Sequence, residues 1–394
     1  MKKRLFSLLL ASVMTFGLVG CGSSASKEAN STNTNTGSET KKVEKYGKQT
    51  IKIAFENYDP TAAQFIQLQK YLKYLQNYVN VDFIYSEKIN SAEEEMAFLE
   101  SASAAGAKAV IGYYNVAGKA AVQKAIDLGM YYYGSAENKD IYNAFKKNDH
   151  YLGGIDGGGA DYTGGYDMAK GLIDSGAKKL IIATGGKALG VPLFVERCRG
   201  IQAAIDEANK NGANVKVVKE INGFPDEAFF SAQAEALGMD VDGVLATFNG
   251  AEIWMQPIQT AGKAGKVKIS TIASIDDMYK AAFESGDVTT LVAQLVEGFA
   301  VSIPMIVNAV EGNGNVVRNA DGTAANWKGD NVVIKDKDTF MKYYNVEATG
   351  VWAYGGEDIQ KLIKGINKDV KYEDYAKLIA DQDINSINSR RGVK

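Results

Sequence analysis

The sequence predicts an α/β protein of two lobes, each built on a doubly wound, mostly parallel sheet. Three observations predict it. From Thr50 onward, short apolar runs alternate with longer helix-like stretches, the order that gives parallel strands joined by crossover helices. The short runs are apolar throughout rather than alternating with polar residues, as strands covered on both faces require. There are also more such runs than one sheet of ordinary size holds, whereas two lobes fit common domain sizes.

The chain begins with Lys2, Lys3 and Arg4, then apolar runs from Leu5 to Val13 and Met14 to Val19, closing at Leu18-Val19-Gly20-Cys21. A basic start, an apolar middle and small residues before a cut site make residues 1–20 a secretory signal. The run is shorter than the roughly 20 apolar residues of a spanning helix. Leu-Val-Gly-Cys resembles a bacterial lipobox. The resemblance implies that Cys21 becomes a lipidated N-terminus, held to the membrane by acyl chains worth about 0.8 kcal/mol per buried CH₂. Residues 21–49 carry the lipid and a tether rich in Ser, Asn, Thr and Lys, too polar to offset its ordering entropy by burial.

Strands are expected at Ile51–Phe55, Val81–Tyr85, Ala109–Tyr113, Met130–Tyr133, Leu180–Ala183, Val215–Ile221, Gly243–Phe248, Val267–Ile272 and Thr290–Leu295. Helices are expected at Ala62–Tyr78, Ala92–Ala104, Gly118–Leu128, Thr163–Ile173, Glu196–Lys210, Glu227–Leu237 and Ala251–Ala261. Several stop at glycine, among them Gly106, Gly129 and Gly212, which supplies a left-handed C-terminal cap. Glu93-Glu94-Glu95 after Asn90-Ser91 reads as a helix start, where acidic side chains meet the positive dipole end.

With 46% hydrophobic and 23% charged residues the chain is globular in composition. Loss of the signal's three basic residues takes the net charge from -3 to -6. A mildly acidic surface without a basic stripe argues against nucleic acid as partner. Of the two cysteines, Cys21 takes lipid and Cys198 is left alone, read as packed and inert. The single histidine, His150, excludes His-rich zinc sites and reads as a surface turn residue. No metal or cofactor is expected. Gly153–Gly165 suggests a nucleotide loop but fails on spacing: after Gly157-x-Gly159 the next required glycine falls on Tyr162. It reads instead as a long loop near a cleft, with Asp156 and Asp161 as ligand contacts or Asp161 as a helix cap.

The order of segments from Thr50 to about Asn313 resembles the type I periplasmic sugar-binding proteins, the ribose-binding-like family related to LacI-type regulators. The likeness is carried by Ile51-Lys-Ile-Ala-Phe-Glu-Asn-Tyr-Asp-Pro60, by Gly106-Ala-Lys-Ala-Val-Ile-Gly-Tyr-Tyr-Asn115, and by Glu196-Arg197-Cys198-Arg199-Gly200. It continues in Gly243-Val-Leu-Ala-Thr-Phe-Asn-Gly250, Thr260-Ala-Gly-Lys263 and Val292-Ala-Gln294. It implies three hinge crossovers, near Ser175–Lys178, Gln294–Glu297 and Glu311–Asn313, and implies that Gly153–Gly165 leads from a strand into a helix packed by small residues. The first lobe would be 50–176 with 295–312 and the second 177–294 with 313–345, leaving 346–394 as an extension. Within that extension, Glu357–Ile366 and Tyr372–Ile379 have helical spacing. They are expected on the second lobe or beside the hinge, with Asn385–Lys394 loose.

The ligand would lie in the cleft, where open parallel sheets bind beyond their strand ends. Candidates are Asn57, Tyr58, Asp59, Tyr113, Tyr114, Asn115, Ser135 and Glu137 from the first lobe. From the second come Phe194, Arg197, Asn249, Ser274 and Asp276, with Gln294 at a crossover. Planar rings and paired donors and acceptors suit a sugar. Trp254 reads as core. Two departures stand out: the family's second-lobe Asn-Asp is Asn249-Gly250 here, and its Phe-Asp-Gly is Ala273-Ser274-Ile275-Asp276. A deoxy or modified sugar, a nucleoside or a non-sugar therefore stays open.

The resemblance implies a lipid-anchored, monomeric, extracytoplasmic binding component of an ABC importer, with a membrane permease as partner. Two rivals remain at this stage: a sensing subunit for a membrane kinase, and a glycosidase using two of Asp59, Glu137, Asp156 and Asp276.

Overall fold

The computed structural model describes residues 44–393 other than 58, 135–138, 294 and 296–298. Strand β1 (Tyr46–Glu56) opens a run of repeats: α1 (Ala63–Leu75), β2 (Val79–Tyr85), α2 (Ala92–Ala104), β3 (Ala109–Gly112), α3 (Lys119–Asp127), β4 (Tyr131–Gly134), α4 (Lys139–Phe145) and β5 (Tyr151–Asp156). A second run follows directly: α5 (Gly157–Asp174), β6 (Lys179–Ala183), α6 (Pro192–Lys210), β7 (Lys216–Ile221), α7 (Glu227–Gly238), β8 (Gly243–Ala246), α8 (Gly250–Thr260), β9 (Lys268–Ala273), α9 (Asp277–Ser285) and β10 (Val288–Ala293). The chain then forms α10 (Ser302–Val310), β11 (Ala325–Lys328), β12 (Val332–Ile334), α11 (Lys337–Glu347), α12 (Gly356–Gln360), α13 (Tyr372–Ala380) and α14 (Ile384–Arg391).

Two six-stranded sheets result, in the orders β11-β5-β4-β3-β1-β2 and β12-β10-β9-β8-β6-β7. All pairs are parallel except β12 on β10. This is the expected α/β architecture of two lobes. Ile53, Phe55 and Ile111 of the first sheet and Ile181, Val244 and Ile269 of the second are all fully buried.

The crossings lie elsewhere than expected. Helix α5 packs on the second sheet, where Ser270 Oγ donates to Met168 O at 2.7 Å. The first passage is therefore at Asp156–Gly157, not Ser175–Lys178. The glycine run leads from strand β5 straight into helix α5, as the family resemblance implies, but without the longer loop its extra glycines suggest. Gly153 (φ +74) and Gly154 lie inside β5, where an added Cβ would sit 1.9 Å from Ala325 O and 1.6 Å from Gly134 O. Gly165 and Gly200 let α5 and α6 touch, since a Cβ on either would come 2.0 Å from a backbone oxygen of the other helix. Strong helix–helix contact thus replaced the flexibility the glycines suggested.

The second passage falls between β10 and α10, and of Gln294–Glu297 only Leu295 is among the described residues. The third lies between β11 and β12, in opposite sheets, rather than at Glu311–Asn313. Four-residue and three-residue strands leave too little periodicity to be seen in sequence.

Helix α11 packs on α9 of the second lobe, and α12 and α13 pack on α10 and β11, the first-lobe elements that flank the second and third crossings, one of the two placements expected. The supposedly loose end is α14, capped by Asp383 and burying Ile384 and Ile387. Trp254 and Cys198 are buried as expected, and burial pushes the Cys198 thiol up to about 11. His150 is half-buried, its ring 4.7 Å from that of Tyr131.

Candidate functional site

Each of the three crossings leaves the carboxyl end of a parallel strand, so these ends of both sheets lie on the side of the crossings, where open parallel sheets bind ligands. Gln67 Nε2 of α1 links the two lobes there, donating to Ile275 O beyond β9 at 3.3 Å.

The first-lobe wall is aromatic. Tyr113, just past β3, lies 5.6 Å from Phe55 and 5.1 Å from Phe299, which approaches from the second crossing. Phe65 and Tyr85 complete the group. Phe55 and Phe65 are fully buried beneath Tyr113, so its ring rests on a rigid floor.

The second-lobe wall is a triangle of rings. Phe194, Phe224 and Phe248 stand 5.6 to 5.8 Å apart, all edge-on, the favoured offset geometry of aromatic pairs. Phe224, in the turn after β7, is 46% exposed. An exposed ring held by two others is a preformed platform. Sequence reading missed Phe224, Phe248 and Phe299. Asn222-Gly223-Phe224-Pro225 carried the only cue, a turn immediately after a strand.

Arg197 lies 5.7 Å from the Phe194 ring. Its Nε donates to Asp161 Oδ1 at 2.9 Å and its Nη1 to Thr247 O at 2.7 Å. The side chains of Arg197 and Asp161 are only 12% and 10% exposed. Burial raises the Asp161 carboxyl, and the Arg197 guanidinium opposes that rise. Asp161 is thus neither a cap nor a free ligand carboxylate; it holds α5 to α6.

Several other candidates are tied into the fold. Asn57 Nδ2 donates to Ser86 O, and its Oδ1 accepts from Asp59 N. Asp59 Oδ1 accepts from the Thr61 amide and hydroxyl, which hold its carboxyl below the usual range. Asn115 Nδ2 donates to Tyr132 Oη and Gly118 O at the start of α3. Asp276 Oδ1 caps α9, accepting from Met278 N and Tyr279 N; burial raises its carboxyl nonetheless. Asp276 thereby starts α9, and Asp59 holds the turn that precedes α1.

Asn249, at the start of α8 just beyond β8, has φ +41 and makes no side-chain cap, a left-handed conformation uncommon outside glycine. It, Ser274, Tyr113 and the 40%-exposed Tyr114 stand at strand ends. Tyr58, Ser135, Glu137, Gln294 and Cys21 lie outside the described residues.

Behind the first wall lies a buried acid pair. Glu56, the last residue of β1, is fully buried; burial raises its carboxyl well above the usual range, and the charge of Glu95 raises it further. Glu95 Oε2 accepts from Val116 N at 2.8 Å and Ala117 N at 2.6 Å. The acidic run is therefore more than a helix start: Glu95 turns inward and fixes the loop that carries Tyr113 and Tyr114.

Among the described residues no group of three His, Cys, Asp or Glu side chains could hold a metal ion, and no helix is long and apolar enough to cross a membrane. A cavity of about 580 Å³ lies wholly within Asp358–Arg390, and one of about 370 Å³ lies where β12 meets the extension. The second includes Asp330 and Asn331 of the third crossing and Val332, which pairs with Ala293 at the carboxyl end of β10.

No family model and no curated protein matches the sequence. Solved structures do match in fold. A solute-binding protein of an ABC transporter from Actinobacillus succinogenes, with bound D-allose, aligns at TM-score 0.59 and 18% identity over 75% of this chain and 100% of its own. One from Bacillus halodurans, with bound myo-inositol, aligns at TM-score 0.58 and 18% identity over 76% and 98%. A periplasmic sugar-binding protein from Pseudomonas fluorescens aligns at 0.60 and 14% over 83% and 99%. The chain has the fold of the type I periplasmic sugar-binding proteins.

Proposed function

We propose that this chain is the lipid-anchored binding component of an ABC importer, closing two lobes around one sugar, with no chemistry of its own. The observation that supports the reading is a ring cluster in each lobe, Tyr113 on Phe55 in the first and Phe194, Phe224 and Phe248 in the second, near the carboxyl ends of the strands. Rings hold the apolar faces of a sugar, and the amides and hydroxyls at the strand ends orient its hydroxyls. The solved structures with this fold that hold D-allose or myo-inositol support a polyhydroxylated ligand. Asp161, Asp59 and Asp276 are engaged within the protein, so the ring platforms carry more of the recognition here. That favours a sugar with one continuous apolar face.

The test is thermal melting against pentoses, hexoses, deoxy sugars, inositols, nucleosides and amino acids. A ligand at a hundred times its dissociation constant adds about 2.7 kcal/mol, a rise of several degrees. A sugar hit supports the reading. A nucleoside or amino-acid hit overturns the cargo but keeps the binding role.

Phe224→Ala is expected to weaken binding of the hit at least tenfold, about 1.4 kcal/mol, while shifting the ligand-free melting point less than a core substitution would, because nearly half of the residue is exposed. Anchoring is tested separately. Cys21→Ser is expected to abolish acyl labelling and release the protein from the membrane fraction; persistent labelling would contradict a lipid on Cys21.

A further inference from the structure

We propose that the C-terminal segment 348–391 is a strap that limits how far the two lobes open. A two-lobe hinge needs only its three crossings. This chain adds a fourth passage and a return.

The strap starts from the second lobe. Helix α11 is fixed to α9 by Phe340 stacked on Phe283 at 4.9 Å and by Tyr344 Oη donating to Asp277. The chain then passes to the first lobe within a few residues. Trp352 packs 5.0 Å from the ring of Tyr71 in α1, and Tyr71 Oη donates to Tyr354 O at 3.0 Å. Further on, Gln360 Nε2 donates to Tyr78 O at 2.7 Å, and Asn308 of α10 holds Leu362 O at 2.8 Å. After α13 the chain returns: Tyr343 Oη of α11 donates to Gln382 O at 2.8 Å. The terminal Arg390 and Arg391 donate back to Ala353 O and Val351 O, clasping the passage itself.

Two features mark this as a tensioned link rather than an appended subdomain. Trp352 is 5% exposed and sits at φ +62, a conformation that a bulky residue keeps only where its surroundings over-determine it. Phe283, Phe340, Trp352 and Tyr71 also belong to one connected set of buried apolar side chains. Wide opening must pull Trp352 off Tyr71 or α11 off α9. The ligand-free lobes therefore stay near the bound geometry, and less binding free energy is lost in selecting it.

The inference uses the hinge and not the identity of the cargo, so its test needs no ligand. Spin labels go on Ser101→Cys in α2 and Gln202→Cys in α6, both exposed and in opposite lobes. The full chain carries Cys21→Ser, and Cys198 is buried. The inter-lobe distance distribution is compared with that of the chain ended at Thr349. The truncated chain is expected to show a broader distribution displaced by several ångströms to longer distance. Should truncation prevent folding, Trp352→Gly in the full chain removes the ring and relieves the backbone, and is expected to broaden the distribution in the same direction. An unchanged distribution in the folded truncated chain, or in Trp352→Gly where that stands in for it, overturns the strap.

Discussion

Replacing Arg197 with alanine lowers the unfolding free energy by roughly 3–5 kcal/mol, the usual cost of breaking a buried pair. Nothing else described replaces the guanidinium beside Asp161 Oδ1 at 2.9 Å. The carboxylate would remain nearly buried between α5 and α6 with its main counter-charge gone. Its carboxyl, already raised by burial, would rise further. The sign of the pH effect follows. A carboxyl whose folded value lies above its unfolded one contributes stability that is present at low pH and lost as pH rises through the folded value. Arg197→Ala is therefore expected to be most damaging near neutrality and milder in acid, and Asp161→Asn in the same chain to restore part of the loss. Urea unfolding at two pH values reads all of this. A loss under about 1 kcal/mol would place the pair in the class of surface ion pairs and contradict the burial argument.

The second large effect has the opposite sign. Glu56→Gln is expected to stabilise the protein at neutral and alkaline pH. Glu56 is fully buried, and the ionisable groups acting on it are Glu95 and the Tyr132 hydroxyl, with no cation among them. Burial first, and the Glu95 charge second, raise its carboxyl, and the hydrogen bond between the two acids raises it further. The folded value is raised, so this contribution is fully present below the ordinary carboxyl range and lost as pH rises through the raised value. The slope is about 1.4 kcal/mol per pH unit for one proton. Glutamine offers a permanent donor with no proton to lose. Its stability profile is expected to lack that slope, gaining over the native protein as pH rises. Chemical unfolding from pH 5 to pH 9 checks this; parallel profiles would mean that Glu56 ionises freely.

These two sites also mark where sequence reading stopped. The repeated strands, the helices between them and the parallel order were legible because each carries its own period and cap. The prediction of a helix over Ala92–Ala104 coincides with α2. What failed was partner choice. Nothing near Glu95 in the sequence indicates that it turns inward toward Glu56. Nothing near Arg197 indicates that Asp161, a helix away, already occupies it. The glycines of β5 read as loop because their real cause, the backbones of Gly134 and Ala325, lies in other strands. The third crossing was misplaced because β11 and β12 are too short to show a period, and α14 was read as loose because the partners of its arginines, Asp358, Asp381 and the carbonyls of Val351 and Ala353, lie outside the helix. Of the cleft, the strand-end positions were legible from topology. The ring triangle was not, since Phe194, Phe224 and Phe248 come from three separate elements.

The central claim is that a sugar binds between the aromatic walls. Calorimetric titration of the strongest sugar hit into the native protein, Phe224→Ala and Val217→Ala tests it most directly. Val217 is exposed like Phe224 but lies at the opposite end of β7. The account predicts one site per chain, at least tenfold weaker affinity in Phe224→Ala, and native affinity in Val217→Ala. Equal affinity in all three would place the ligand elsewhere and contradict the account.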